Sequence, residues 1–148
     1  MLVAQICLKG HVIKDVLPKF CENCGQPTIY ACPKCQADIR GLYGPPGARP
    51  VRYRRPSFCP ECGSPYPWTR TAVREFRNLA ELADGLTLEQ REQLSATIDD
   101  IIADTPRTNG AVARIKLLSP KIASEVWQGM RQIIVDVASE AAKKQLGL

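Results

Sequence analysis

Eight residues that could bind a metal lie between positions 7 and 62 of this 148-residue sequence. They are all seven cysteines and the only histidine, and they come in four pairs, three spaced C-x-x-C and one C-x-x-x-H. Structural zinc takes four sulfur or imidazole ligands in a tetrahedron. Eight ligands therefore predict two zinc ions per chain, each in a closed site. In chain order, the pairs are Cys7/His11, Cys21/Cys24, Cys32/Cys35 and Cys59/Cys62.

Two pairings of these ligands are open. In the tandem pairing, neighbouring pairs share a metal, so the first two pairs form one site and the last two the other. In the crossed pairing, the first and third pairs share one ion, and the second and fourth share the other. A repeat favours the tandem pairing, because F-C-x-x-C-G occurs at residues 20–25 and again at 58–63. The glycine after each pair suits a turn with positive φ, and Gln36 after Cys35 makes a weaker version.

The segments on either side of the first pair, residues 2–6 and 12–13, are apolar and β-branched. They predict a short hairpin with the Cys7–His11 turn between its strands. Pro67 and its neighbours close the cysteine-rich region, since proline stops a continuing strand from pairing fully. Tyr66 and Trp68 are expected to pack this region against the helices that follow.

From Thr69 the apolar residues recur with helical periodicity. The first helix is expected to end at Asp84-Gly85, with the glycine at C′. Residues 87–90 form a capping-box start for a second helix, which ends at Thr105-Pro106. A third helix is predicted over residues 109–118. Residues 119–120 then start, or kink, one long last helix that Gly147 caps.

The motif C-x3-H-x8-F-C-x-x-C-G, followed by C-P-x-C and F-C-P-x-C-G, resembles the double zinc ribbon over about residues 3–66. The whole chain, with its helical tail, also resembles an uncharacterised bacterial family of double-zinc-ribbon proteins. Double ribbons are known as adaptor and regulatory modules and, in other settings, as nucleic-acid binders. Two departures stand out: His11 replaces a cysteine in the first ribbon, and the second ribbon contains a long insert.

Together, these patterns predict a small α+β protein. Residues 1–68 would form two tandem zinc ribbons made of short β-hairpins, and residues 69–148 would form an all-α helical bundle. The function that we expect is a non-enzymatic zinc-binding adaptor, which acts through a protein partner or by self-association. The alternative is a nucleic-acid-binding zinc-ribbon protein.

The long insert, residues 36–58, carries the case for nucleic acid. Arginine forks would hold phosphates and tyrosines would stack on bases. The other interpretation, slightly favoured, is a solvated loop whose arginines offset the charge of the four-cysteine site. Residues 1–70 carry a net charge of +6 and residues 71–148 a net charge of −1, which gives +5 for the whole chain. Ligation of two zinc ions lowers the charge of residues 1–70 to about +3. The proposed binding residues are Arg40, Arg49, Arg52, Tyr53, Arg54 and Arg55.

The last helix has a wide apolar arc that must be covered from two sides. The favoured interpretation places it at the centre of its own bundle, and the alternative is an oligomer seam. The residues of that seam would be Trp127, Met130, Ile133 and Ile134.

Several classes of function are not expected. The N-terminus lacks the features of a signal peptide, and no apolar stretch is long enough to cross a membrane. C-x-x-C pairs without a signal fit a reducing, cytoplasmic compartment better than disulfides. Two closed metal sites leave no open coordination position, and His11, the usual kind of general base, is used as a ligand. We therefore expect no enzyme activity, no small-molecule substrate and no membrane association.

Overall fold

A computed structural model describes residues 3–14, 18–41 and 53–148 of the chain. In the described residues, a three-stranded antiparallel sheet is followed by five α-helices, which confirms the predicted small α+β class. The chain divides into two compact units, Met1–Thr71 and Ala72–Leu148. The sequence predicts a division between residues 68 and 69.

The sheet lies in the first unit, and its central strand is the one that carries the first cysteine. Strand β1 (Gln5–Cys7) pairs with β2 (Val12–Ile13) on one side and with β3 (Thr28–Ile29) on the other. The β1–β2 hairpin is the predicted one, whereas β3 is not evident in the sequence. The register places Ile6 opposite Val12 in β2 and opposite Ile29 in β3.

A small core in the first unit includes both residues of this sheet and cysteines. Tyr66 and Trp68 stack in it, with ring centroids 4.7 Å apart and an interplanar angle of 19°. The indole Nε1 of Trp68 donates to the Pro56 carbonyl at 2.9 Å, which fixes the ring. Both rings therefore pack within the first unit, and their packing against the helices that follow stays a prediction. The buried members of this core are Ala4, Ile6, Cys32, Ile39, Cys59, Tyr66 and Trp68.

Local signals in the sequence mark some of the helix ends. Thr87 forms the predicted capping box: its hydroxyl accepts from the Gln90 N–H at 3.2 Å, and the Gln90 side chain accepts from the Thr87 N–H at 3.0 Å. Gly147 caps the last helix in the left-handed conformation, as predicted. The helices are α1 (Pro67–Glu81), α2 (Leu88–Ile102), α3 (Thr108–Leu118), α4 (Ser124–Val137) and α5 (Glu140–Leu146), with a 3-10 turn at Ser119–Lys121.

Two details of α1 differ from expectation. It starts at Pro67 and not at Thr69, because proline is well suited to the first helical position, where its missing N–H costs nothing. It ends at Glu81, and Gly85 is not among the glycines with positive φ. A Cβ at Gly85 would lie 2.0 Å from the Lys121 carbonyl oxygen. Glycine is therefore required here for a close backbone approach, not for a left-handed cap.

The predicted single last helix is wrong: it is two helices. Ala138, between α4 and α5, is extended, with ψ at 153°. The Ser139 N–H donates to the Ile101 carbonyl at 2.8 Å, and its hydroxyl caps α5 by accepting from the Ala142 N–H. A hydrogen bond to α2 thus takes the place of helix continuation.

The helical unit has its own core, formed mainly by the predicted apolar faces. Phe76, Leu94, Ile98, Met130 and Ile134 are each fully buried in it. None of the helices in the described part of the chain combines the length and apolarity that a membrane crossing requires.

Candidate metal centres

The three C-x-x-C segments fold into the same turn, which we call a knuckle. In each knuckle the first cysteine N–H donates to the carbonyl five residues on, and the N–H four residues on donates back to that cysteine's carbonyl. All six of these bonds are 2.8 Å long. The turns therefore present both cysteine side chains on one side. The first cysteines of the three knuckles are Cys21, Cys32 and Cys59.

Each knuckle needs a left-handed residue directly after its second cysteine. Gly25, Gln36 and Gly63 occupy this position, with φ of 71°, 64° and 72°. Gln36 is the only residue other than glycine with positive φ among the described residues. The middle knuckle thus has the same geometry as the other two in spite of the weaker sequence signal, and it is the strained member of the set.

The Cys7/His11 pair forms a different turn, at the end of β1. Gly10 turns the chain with φ of 95°, and the His11 N–H donates to the Cys7 sulfur at 3.2 Å. Arg55 packs on this glycine, and its Nη1 donates to the Gly10 carbonyl at 2.9 Å. A Cβ at Gly10 would lie 2.8 Å from the Arg55 Cζ. Gly10 is therefore needed for its conformation, and the end of the Arg55 side chain packs on it.

The first two pairs come together in one cluster. The Cys7 Sγ lies 3.4 Å from the His11 Nδ1 and 3.7 Å from the Cys24 Sγ. The Cys21 Sγ lies 3.6 Å from the same His11 nitrogen. Cys7 and Cys21 are buried, whereas His11 and Cys24 are exposed at the outer side.

The last two pairs form a second cluster, of four cysteines. The Cys32 and Cys62 sulfurs are 3.8 Å apart, and the Cys35 and Cys59 sulfurs are 3.7 Å apart. In each cluster, all four ligating atoms lie within 4.8 Å of one another. The structure therefore groups the pairs in the tandem arrangement and not the crossed one, and each cluster could hold one metal ion.

The electrostatics of the second cluster favour a cation at its centre. The Ser64 hydroxyl, together with the Ser64 N–H, lowers the pKa of Cys62 to about 6. At Cys35, the Ala37 N–H lowers the pKa, but burial and the three neighbouring thiols outweigh it and raise the pKa to about 12. The pKa values of two cysteines in the second cluster therefore move in opposite directions. Four thiolates this close repel one another, so a cation among them favours ionisation of all four.

Comparison with known proteins places the chain in a family. Residues 1–146 match the model of DUF2321, described as an uncharacterized protein conserved in bacteria. The chain belongs to DUF2321. No curated protein and no solved structure gives a significant match. Because the DUF2321 description names no activity, the two clusters carry the functional argument.

Sequence reasoning missed two hydroxyls that surround the second cluster of this DUF2321 chain. The Ser64 hydroxyl is directed at Cys62, and the Tyr66 hydroxyl lies beside Cys59. Both follow the last knuckle, at alternate positions of an extended segment, and both side chains are buried. The alternation is visible in the sequence, but serine and tyrosine are not among the usual ligands of structural zinc and gave no signal.

The residues of the predicted binding insert do not form one free surface. The Tyr53 hydroxyl donates to the Arg40 carbonyl at 2.7 Å, and the Tyr53 ring is partly buried against the small core. Arg55 holds Gly10, as described above. Arg40 and Arg54 are exposed. Arg49 and Arg52, like Tyr43, lie outside the described residues.

The predicted seam residues divide into two groups. Met130 and Ile134 are fully buried in the core of the helical unit. Trp127 and Ile133 are partly buried and pack against the same core. Two of the four side chains are therefore not available to a second copy of the chain.

Proposed function

We propose that each cluster binds one zinc ion and that the first unit is a double zinc ribbon. The observation that carries this proposal is the spacing of the ligating atoms. Four sulfurs about 2.3 Å from a tetrahedral zinc lie about 3.8 Å from one another, and a sulfur and a histidine nitrogen lie about 3.6 Å apart. The five shortest contacts between ligating atoms in the two clusters run from 3.4 to 3.8 Å, and every pair within a cluster lies within 4.8 Å. A disulfide would need about 2.0 Å.

The choice of zinc rests on the first cluster. Iron bound by four thiolates would also fit the second cluster, since its bonds are of similar length. Three cysteines and a histidine form a set that is common in structural zinc sites. Backbone N–H groups in the knuckles point at the sulfurs, including those of Cys21 and Cys59, and stabilise the thiolate form that zinc requires.

We further propose that the protein is a non-enzymatic adaptor. With four protein ligands each, the proposed zinc sites keep no open position for water or substrate. An apolar groove of about 610 Å³ on the first unit offers a surface for a protein partner. Val3 and Tyr30 line it and are 48% and 64% exposed. A metal-built scaffold holds such a surface rigid without a large core.

Chelation tests the structural role of zinc, because the two tryptophans report on separate units. Trp68 is buried in the first unit, and Trp127 packs in the helical core. A Trp127→Phe variant leaves only Trp68 fluorescence, and a Trp68→Phe variant leaves only Trp127. A strong zinc chelator should expose Trp68 to solvent in the first variant. In the second, Trp127 fluorescence and the helical circular dichroism should stay unchanged.

The opposite results would reject the proposal in distinct ways. Unchanged Trp68 emission after complete metal removal would mean that the first unit folds without zinc. Loss of helical signal would mean that the metal supports the whole chain and not the ribbon alone.

The adaptor could instead act as a homo-oligomer. Because Met130 and Ile134 are buried in the helical core, the residues left for an oligomer seam are Trp127 and Ile133. A Trp127→Asp variant should then lower the oligomeric mass measured by light scattering. A Val135→Asp variant is the matched control, because Val135 lies on the same helix and is 38% exposed. Equal masses for the wild-type protein and Trp127→Asp would remove the seam from the proposal.

Nucleic-acid binding is the second candidate function, and one contact favours it. The Tyr53–Arg40 hydrogen bond joins two parts of the insert that are distant in sequence, so that the exposed Arg40 and Arg54 belong to adjacent backbone segments. Basic side chains close together can contact successive phosphates. Affinity should then fall by about 0.7 to 0.9 log units per log unit of salt for each phosphate contacted.

The variant that tests this function should spare Arg55, because its loss would loosen the Gly10 turn. An Arg40→Ala/Arg52→Ala/Arg54→Ala variant is compared with the wild-type protein on single- and double-stranded DNA and RNA. Salt-sensitive binding that the variant loses would support the function, and no binding at physiological salt would reject it. The matched control removes three exposed arginines of the helical unit, Arg74, Arg114 and Arg131.

A further inference from the structure

Tyr66 is a buried phenol beside the second cluster. Its side chain is 0% exposed, and its hydroxyl oxygen is a buried polar atom without a well-formed hydrogen bond in the described part of the chain. Tyr66 packs in the same small core as Cys32 and Cys59, which are two ligands of the second cluster. A buried hydroxyl without an acceptor is costly, so its retention needs a reason.

Packing alone does not require a hydroxyl at this position. Tyr66 is the fourth residue after the second cysteine of its knuckle, and the same place is held by Thr28 and Ile39 in the other two knuckles. The Thr28 hydroxyl donates to the Pro18 carbonyl at 2.5 Å. Ile39 is fully buried and wholly apolar. The core thus accepts an apolar side chain at an equivalent site, and only in the last knuckle does this position hold a fully buried hydroxyl.

The ring of Tyr66 is fixed, so the hydroxyl cannot turn to another partner. Trp68 stacks on it at 4.7 Å, and Trp68 is itself held by its hydrogen bond to Pro56. A phenol is protonated at neutral pH and can donate one hydrogen bond. The hydroxyl is therefore a donor without a partner, held in the core that contains Cys59.

We propose that Tyr66 is a positioning residue for the second metal centre, and that its O–H donates to the metal-bound Cys59 sulfur. This inference rests on the proposed function, because the thiolate that accepts the bond is the form that ligates zinc. Four thiolates around one zinc ion carry a double negative charge, and a donor to one of them withdraws part of it. The bond keeps the metal in place and makes the Cys59 sulfur less nucleophilic.

The test is a Tyr66→Phe variant, which removes only the oxygen atom. Tyr30→Phe is the matched control, since Tyr30 is 64% exposed. Cobalt(II) serves as the probe, because its thiolate charge-transfer band reports on the sulfurs. Competition with a chelator, followed by mapping of alkylated cysteines, shows which cluster releases its ion. We expect the second cluster of Tyr66→Phe to bind cobalt about 10- to 100-fold more weakly, with a shifted charge-transfer band. The first cluster and the Tyr30→Phe variant should match the wild-type protein.

The opposite outcome has a distinct signature. If the hydroxyl is merely buried without a partner, its removal leaves cobalt affinity and spectrum unchanged and raises thermal stability. Wild-type protein that never binds two cobalt ions would reject the proposed function itself. If Tyr66→Phe does not fold, the hydrogen bond can be tested in the wild-type protein. The protein is loaded with an NMR-active cadmium isotope and studied by NMR. A slowly exchanging Tyr66 hydroxyl proton coupled to cadmium is expected, and its absence would overturn the proposal.

Discussion

The left-handed residue that follows the second cysteine of each knuckle gives a testable prediction. Substitutions at two such positions should change the stability of the first unit in opposite directions. Gly63 and Gln36 have nearly the same φ, 72° and 64°. A glycine adopts this conformation freely, whereas any other L-residue pays for it. Replacing Gly63 by alanine should therefore destabilise the first unit, and replacing Gln36 by glycine should stabilise it.

The magnitudes follow from the surroundings of the two residues. A Cβ at Gly63 would meet nothing within 4 Å, so the cost of Gly63→Ala is the backbone strain alone. The left-handed conformation costs alanine about 1 to 2 kcal/mol. Alanine also lowers the conformational entropy of the unfolded chain, which offsets about 0.4 to 1 kcal/mol of that cost. The net destabilisation is about 1 kcal/mol. Gln36→Gly reverses both terms and should stabilise by about 0.5 to 1 kcal/mol. The Gln36 side chain is exposed and loses only a 3.4 Å contact to the Pro33 carbonyl.

The assay is urea unfolding in the Trp127→Phe background, where Trp68 alone reports on the first unit. Free zinc must be buffered at one concentration, because metal that binds only the folded state adds to the measured stability. With a slope of about 1 kcal/mol per molar, the midpoint should fall by about 1 M for Gly63→Ala. It should rise by about 0.5 to 1 M for Gln36→Gly.

Gln36→Ala is the control that separates strain from side-chain effects. Alanine keeps the strain and removes the side chain, so its midpoint should stay close to that of the wild-type protein. Stabilisation by Gln36→Ala equal to that by Gln36→Gly would show that the side chain and not the backbone is responsible. A fall in the Gln36→Gly midpoint would refute the knuckle geometry.

Two further predictions concern the helical unit, with Trp127 fluorescence as the readout. Gly85→Ala should lower its stability by well over about 1 kcal/mol, because the new Cβ collides with the Lys121 carbonyl 2.0 Å away. The control Gly110→Ala should raise the stability of the helical unit by about 0.5 to 1 kcal/mol, since Gly110 lies in α3 with no atom within 4 Å of an added Cβ. Equal effects at the two glycines would contradict both expectations. Thr87→Ala should cost about 1 kcal/mol through loss of the cap, with Thr87→Ser near wild type; an unchanged Thr87→Ala would mean that the capping box contributes nothing.

The parts of the fold that follow from short-range chemistry were predictable. The ligand pairs, the β1–β2 turn and the Thr87 cap each depend on residues within a few positions of one another. Strand β3 depends on pairing across the chain, with Thr28 opposite Cys7. Two residues are too few to show a strand period, so the sequence alone does not indicate it.

The sequence predictions fail where a backbone contact with a distant part of the chain determines the local structure. Ser139 ends one helix and starts another because its N–H finds the Ile101 carbonyl, and neither proline nor glycine marks the break. A serine followed by Glu140 is a capping signal that could have indicated it. Gly85 resembles a helix cap in sequence, yet its role is to let the Lys121 carbonyl approach. Nothing local distinguishes these two roles.

The sequence predicted the metal ligands of the candidate site but not the residues that surround them. Spacing identifies the eight ligands, and the repeat favours the tandem pairing that the structure shows. The contacts of Arg55 with Gly10, and of Tyr66 with Cys59, bring together residues 45 and 7 positions apart in the sequence. Such contacts follow from the packing of the knuckles, which no motif encodes.

Metal content measured by native mass spectrometry, with elemental analysis to identify the metal, tests the central claim most directly. We predict two zinc ions per wild-type chain. A variant with serine at Cys7, His11, Cys21 and Cys24 should retain one zinc, because the second cluster is complete without them. A single metal in the wild-type chain would contradict the two-site account. Loss of both ions from the four-serine variant, with the helical unit still folded, would contradict the independence of the two clusters.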